Sequence, residues 1–277
     1  YAKCAVLVKA HNVLEELPIR DIVSWNALIT GYSQQGQGRE ILKCYNRMQC
    51  EGLSPDEVTS ICVLKACGNT SSIDKGIQIH SKIVSRTLAD RGHIVLGTTL
   101  VDMYAKCGML TKAQQVLEEL PTRNTVSWNV MIAGYARQGQ GYKALNCFQQ
   151  MQSEGLSPDN VSFLSLLTAC SRSGLLSEAQ IVFQNMSNEY GITPSLEHQT
   201  CLVDIFGCGG HFEKAMSVIK VMPSSNYPAI WRSVLGACKR WGNVEIGRLA
   251  FHHASQLDTW CATSYVLMAN IFACANM

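Results

Sequence analysis

The sequence predicts an all-α fold, an α-solenoid superhelix of helix–turn–helix repeats, and three observations predict it. The chain repeats itself over a long offset that carries Tyr1 to Tyr104: the stretches Tyr1–Ser60 and Tyr104–Phe163 align without a gap and are identical at more than half of their positions. Inside that unit a smaller landmark recurs, an aromatic or small residue followed by a short polar stretch with glycine. It appears as GYSQQG (31–36), ACGNTSS (66–72), MYAKCG (103–108), GYARQG (134–139), ACSRSG (169–174), IFGCGG (205–210) and ACKRWG (237–242). No stretch alternates apolar and polar residues as a half-buried strand does. A long period composed of shorter ones describes stacked supersecondary units, none of which buries its apolar face alone.

Each piece reads as two helices. From Val23 to Gln34, apolar Val23, Ala27, Leu28, Ile29 and Tyr32 suit a helix with one buried face. Gly36 and Gly38 are expected to break it. Glu40 to Gln49 carries Ile41, Leu42, Tyr45 and Met48 at helical spacing. Gly52 and Pro55 close that second helix, because glycine accepts a left-handed cap and proline cannot continue a helix. The second copy repeats the pattern with Gly139, Gly141, Leu145, Phe148, Met151, Gly155 and Pro158. Trp25 and Trp128 read as core between repeats.

Composition bounds the function classes. Hydrophobic residues make up 47% and charged residues 16%, which describes a folded chain. No apolar run reaches the ~18–20 residues that span a bilayer, so no membrane partner is expected. The net charge of +2 neither demands nor excludes a nucleic acid. Thirteen cysteines without any Cys-x-x-Cys pair argue against a disulfide scaffold or a zinc site. Cys67, Cys107, Cys170 and Cys238 recur near one helix end, as small buried side chains at a helix crossing do, and a reducing compartment follows. No cofactor is expected.

Catalytic motifs do not assemble. His211-Phe212-Glu213 supplies the His-x-Glu half of a zinc deaminase, but no Pro-Cys-x-x-Cys follows, so it reads as a chance match. His252 and His253 are adjacent and read as pointing to different helix faces. Gly36-Gln37-Gly38 follows no strand and precedes no phosphate-loop lysine. The chain is expected not to be an enzyme. Its ends fall inside repeats, which reads as an internal piece of a longer protein.

The pieces between landmarks alternate in length, in the fixed order long, longer, short. VSWNALITGYSQQG…EGLSPD (23–56), VLKACGNTSSIDKGIQIHSKIV (63–84) and TLVDMYAKCGMLTKAQQVLEELPTRN (99–124) resemble the P, L and S motifs of plant PLS-subclass pentatricopeptide-repeat proteins. HQTCLVDIFGCGGHFEKAMSVIKVMP (198–223) resembles a last S-type motif. IWRSVLGACKRWGNVEIG (230–247) and SYVLMANIFA (264–273) resemble the E motifs of organellar RNA-editing factors. Tetratricopeptide repeats are also helix pairs, but keep a uniform period of about 34 residues and a different signature.

The resemblance implies a partial S-type unit at 1–21, P-type at 22–56, L-type at 57–93, S-type at 94–124, P-type at 125–159, L-type at 160–195 and a last S-type unit at 196–227. E-like units follow at 228–258 and, in part, 259–277. It implies single-stranded RNA as partner, about one base per repeat, in selecting sites for C-to-U editing in a mitochondrion or chloroplast. A deaminase would lie beyond this sequence or act in trans; a protein-binding scaffold, or RNA stabilisation or splicing without editing, is the alternative.

In that family two residues per repeat choose the base, the fifth of the first helix and the last of the repeat. Such pairs can read a splayed base on its Watson–Crick edge. Here they are Asn26 with Asp56 and Asn129 with Asp159, both implying uracil, and Thr98 with Asn124, implying adenine. Asp21 alone remains of the first unit. Thr200 is the fifth residue of the last S-type unit, whose final residue falls near Asn226 or Tyr227. Ile61 and Leu164 occupy the fifth place of the L-type units and cannot hydrogen-bond a base. The predicted core is 5′-U-N-A-U-N-N-3′, with the edited cytidine roughly four nucleotides past the base under Thr200.

Asn and Asp at helix starts are also ordinary capping residues. Val23, Val58, Val95, Val126 and Val161 hold the second position, which the family uses to sandwich bases; the other reading is core valine. Lys3, Lys106, Arg137, Arg172 and Arg240 recur near the ends of first helices, where a row of cations could follow phosphates or simply face solvent.

Overall fold

The computed structural model describes residues 6–87, 94–222, 227–258 and 260–275. Among the described residues there are sixteen helices and no strand. After α1 (Leu7–Glu16) they run in pairs: α2 (Ile22–Gln34) with α3 (Gly38–Cys50), α4 (Glu57–Thr70) with α5 (Ile73–Thr87), α6 (Ile94–Lys106) with α7 (Leu110–Glu119), and α8 (Thr125–Arg137) with α9 (Gly141–Ser153). There follow α10 (Asn160–Ser173) with α11 (Leu176–Asn188), α12 (Leu196–Cys208) with α13 (Phe212–Val221), α14 (Pro228–Trp241) with α15 (Val244–Leu257), and α16 (Ala262–Cys274). The chain forms two compact units, Tyr1–Gly134 and Tyr135–Met277.

Within each unit the first helices stack on one another, α2 on α4 on α6 in one, and α10 on α12 on α14 on α16 in the other. Second helices cover this layer from one side, so one face of the first-helix layer carries the positions not used for packing. The expected helical-repeat architecture is therefore present.

Packing selects a narrower stripe than the sequence suggests. In α2 the buried side chains are Trp25, Leu28, Ile29 and Tyr32, at the spacing of one helix face. Val23 and Ala27, expected in that face, are exposed instead. Trp25 is fully buried and donates from Nε1 to Glu51 Oε2 at 3.0 Å, holding α2 to the end of α3. Trp128 is also buried. The two glycines of the first turn divide their work. Gly36 has φ +67 and makes the turn. Gly38 does not break a helix, as expected from sequence, but opens α3. A Cβ there would lie 2.8 Å from the Thr70 methyl of α4, so its role is close approach of neighbouring repeats.

Buried cysteines fill the helix crossings. Cys67, Cys170 and Cys238 are fully buried at equivalent places in α4, α10 and α14. Burial pushes their thiols up to about 11, 12 and 11. Cys107 differs: it lies just past α6, is half-buried, and donates to the Cys67 carbonyl at 3.8 Å.

Candidate nucleic-acid interface

The first helices α2, α4, α8 and α10 start on short polar side chains that accept from the third helical residue, the usual way to satisfy an orphan amide. Asp21 Oδ1 accepts from the Ser24 amide at 2.8 Å, and the Ser24 amide and hydroxyl hold its carboxyl below the usual carboxylate range. Asp159 Oδ1 accepts from the Ser162 amide at 2.9 Å, and Asn124 Oδ1 from the Ser127 amide at 2.9 Å. These are the residues expected to read bases, so the capping role is real. The cap occupies one oxygen of each aspartate, and in Asn124 the only side-chain oxygen.

Asp56 shows the division. Its Oδ1 accepts from the Thr59 amide at 2.8 Å, while its Oδ2 accepts from Asn26 Nδ2 at 2.8 Å. The Thr59 hydroxyl lies 2.6 Å from Asn26 Oδ1, as donor. The structure thus brings Asn26 and Asp56 together from opposite ends of one repeat and locks the amide orientation. An amide has two donors and two lone pairs, so one Asn26 N–H and one lone pair stay open. That pair of functions matches a pyrimidine edge. Asn129, at the same register in α8, is deeper, 6% exposed.

The pair Thr98 and Asn124 sits differently. Thr98 and Asn124 line one cavity of about 380 Å3 with Val95, Val126, Lys65 and Asp102. That volume is within the roughly 300–1,000 Å3 of small-molecule sites. The Thr98 hydroxyl is buried there without a hydrogen-bond partner, a state costing about 1–3 kcal/mol unless a ligand meets it. Asn124 spends only its carbonyl oxygen on the cap, so its amide hydrogens remain.

The second-position valines resolve the other alternative. Val23, Val58, Val95, Val126 and Val161 are exposed by 69, 48, 59, 57 and 55%. Valines this exposed are not core. In α12 the second position is taken by Glu197, which accepts from the Ser195 hydroxyl at 2.6 Å. Thr200 there donates to the Leu196 carbonyl at 2.7 Å, within its own helix. Asn226, one candidate for that unit's last residue, lies outside the described residues.

Of the four described cations in the expected row, two have their side chains engaged. Lys106 pairs with Asp102 at 2.7 Å, and Arg172 donates to the Arg137 carbonyl at 3.0 Å, tying adjacent helix ends together. Arg137 and Arg240 are exposed; Lys3 lies outside the described residues. His253 stacks on Trp231 with ring centroids 4.3 Å apart, His252 meets Gln256 at 3.0 Å, and His211 stands at the N-cap position of α13 without a side-chain cap bond.

Three participants escape a reading of the sequence alone: Thr59, Lys65 and Asp102. Lys65 and Asp102 are the ninth residues of their first helices. Positions two, five and nine share one helix face, and that spacing is the available signal.

An open face of first-helix positions, with recurring polar pairs between exposed valines, defines a helical-repeat protein that presents one side chain set per repeat. The PPR repeat family matches residues 20–69 and 123–172, and the PPR repeat matches 98–125, 161–189 and 200–227; together these segments cover more than half the chain. The chain belongs to the pentatricopeptide-repeat family.

Over its whole length it is 38% identical to pentatricopeptide repeat-containing protein At4g33990 of Arabidopsis thaliana, of which it covers 33%. It is also 38% identical to the Arabidopsis protein At1g08070, chloroplastic, covering 37% of it. A third, At1g77170, mitochondrial, is 33% identical, with 59% covered. The chain thus spans about a third to three-fifths of these relatives. Its fold is similar to that of the maize pentatricopeptide repeat protein PPR10, solved in complex with an 18-nt psaJ RNA element: TM-score 0.82, 19% identity, 99% of this chain and 41% of that one. No helix among the described residues is long and apolar enough to cross a membrane.

Proposed function

We propose that this chain is a sequence-reading module for single-stranded RNA, taking about one base per repeat. The observation that carries the reading is the cavity lined together by Thr98, Asn124, Val95 and Val126. A base in this cavity would lie against valine side chains and meet the Asn124 amide hydrogens, while the shielded Thr98 hydroxyl would need a local shift to join it. The Asn26–Asp56 pair presents one donor and one acceptor to a uracil. By the repetition of the sequence, Asn129 and Asp159 ask for the same base three nucleotides on.

The alternating unit lengths and the E-like segments favour the PLS subclass and a role in selecting a cytidine for editing in a plastid or mitochondrion. The chloroplastic and mitochondrial relatives support that address. The deaminase would be supplied outside these residues.

The test is equilibrium binding of the 277-residue chain to an RNA containing 5′-U-N-A-U-N-N-3′. Each lost base contact is worth about 1 kcal/mol, so G at the first or fourth position, or C at the third, should weaken binding roughly fivefold. Equal affinity for all four RNAs would sink the assignment. Asn129→Ser with Asp159→Asn should move the fourth-position preference from uracil toward a purine.

A further inference from the structure

The L-type repeats carry no hydrogen-bonding residue at the fifth position, yet one of them contributes to the cavity of its neighbour. Lys65, on the exposed face of α4, lines the same cavity as Thr98 and Asn124 of the following unit. It forms no hydrogen bond or ion pair among the described residues. That distinguishes it from Lys106, the cation that the sequence pattern favours, which is held by Asp102 at 2.7 Å.

The charges of the cavity can be added. Asp102 lines it as well, but its carboxylate is offset by Lys106. Lys65 therefore leaves the site with one net positive charge, at a rim otherwise built of valine and neutral polar groups. A neutral base edge does not need that charge, and the strand's only anion is its backbone. A lysine ammonium is a compact, strongly hydrated point charge suited to a phosphate oxygen.

We propose that Lys65 binds the phosphodiester of the nucleotide whose base enters the Thr98–Asn124 cavity. The L-type unit then anchors the backbone for the base that its S-type neighbour reads. The inference rests on the RNA-binding reading above and adds a phosphate contact to it. In the second triplet the ninth position is Thr168, whose hydroxyl is turned to the Leu164 carbonyl at 2.8 Å, so that triplet has no counterpart.

Binding of the same RNA is measured from low to high salt. One phosphate contact on a single strand contributes about 0.7 to the slope of log K against log salt. Lys65→Met, a change at an exposed position, should lower the slope by that amount. It should weaken binding several-fold and equally for RNAs with A or C in the third place. Lys65→Arg should restore the slope, and Lys43→Met, an exposed cation on α3, should leave it unchanged. An unchanged slope in Lys65→Met, or an effect confined to the adenine RNA, overturns the proposal. Wild-type binding without preference at the third place, alongside the slope change, would sink the base-reading assignment and leave the phosphate contact standing. Absence of RNA binding would overturn both.

Discussion

Two places in the molecule share a register and differ in chemistry. Around α6 the second, fifth and ninth residues are Val95, Thr98 and Asp102; around α12 they are Glu197, Thr200 and Asp204. At α6 the threonine hydroxyl has no partner and a cavity opens beside it. At α12 the threonine hydroxyl is spent on its own helix. Asp204 there accepts from the Ser171 hydroxyl at 2.6 Å and the Ser233 hydroxyl at 2.9 Å, bracing α12 between α10 and α14. Asp102 instead holds Lys106 one turn along the same helix. The same position thus lines a cavity in one repeat and forms a strut in the other. The neighbours differ: Ser171 and Ser233 on the flanking helices engage Asp204, whereas the same places beside α6 hold Gly68 and Val130, which offer no hydroxyl.

The largest effect expected from this contrast is on stability. Asp204→Ala should cost about 1–3 kcal/mol, because two hydroxyls lose their acceptor in a packed interface. Asp102→Ala should stay within about 0.5 kcal/mol, the worth of a half-exposed pair one turn apart. Denaturant titration of both variants measures the difference. Equal costs would mean that the two aspartates do the same work and that the contrast is false.

The threonines provide a sharper test, since the expected signs differ. Thr98→Val removes an unsatisfied buried hydroxyl and should stabilise the chain by up to about 1 kcal/mol. The same change should erase preference for adenine at the third place of the RNA. Thr200→Val removes a hydroxyl bonded within its helix and should leave stability within about 0.5 kcal/mol. A Thr98→Val variant that is destabilised would show that the hydroxyl has a structural partner and is not kept for a ligand.

The helical part of this pattern is legible because repetition makes the sequence testify twice. The return of Tyr1 at Tyr104, the glycine landmarks and the Trp25, Leu28, Ile29, Tyr32 stripe follow from one requirement, that each helix pair bury a face on the next. What sequence cannot separate are residues whose two roles need the same chemistry. Asp56 is a cap and an Asn26 partner at once, and only the positions of Oδ1 and Oδ2 show that the roles coexist. The second-position valines could be core or edge by composition; their exposure decides. Gly38 reads as a breaker because glycine has that meaning in isolation, whereas the Thr70 methyl beside it belongs to the next repeat. Lys65 escapes for a related reason. The positions expected to read bases belong to single repeats, and this cavity is lined across three.

The smallest expected effect concerns Glu197, the one departure from valine among the second positions compared. A carboxylate at a groove edge repels phosphates, so Glu197→Val should strengthen RNA binding, more at low salt than at high. Acid should not imitate the mutation. The Ser195 hydroxyl holds the Glu197 carboxyl below its ordinary value of 4.5, so the group stays ionised from pH 7 to pH 5. The affinity gap between wild type and Glu197→Gln should therefore be constant over that range and close only as the pH falls through the depressed value. Stability follows the same sign. A carboxyl depressed in the folded state stabilises above its unfolded pKa, and that contribution is lost as the pH falls through the folded one. A gap that closes by pH 5 would mean that the Glu197 carboxyl titrates above its ordinary value, opposite to the direction that the Ser195 hydrogen bond sets.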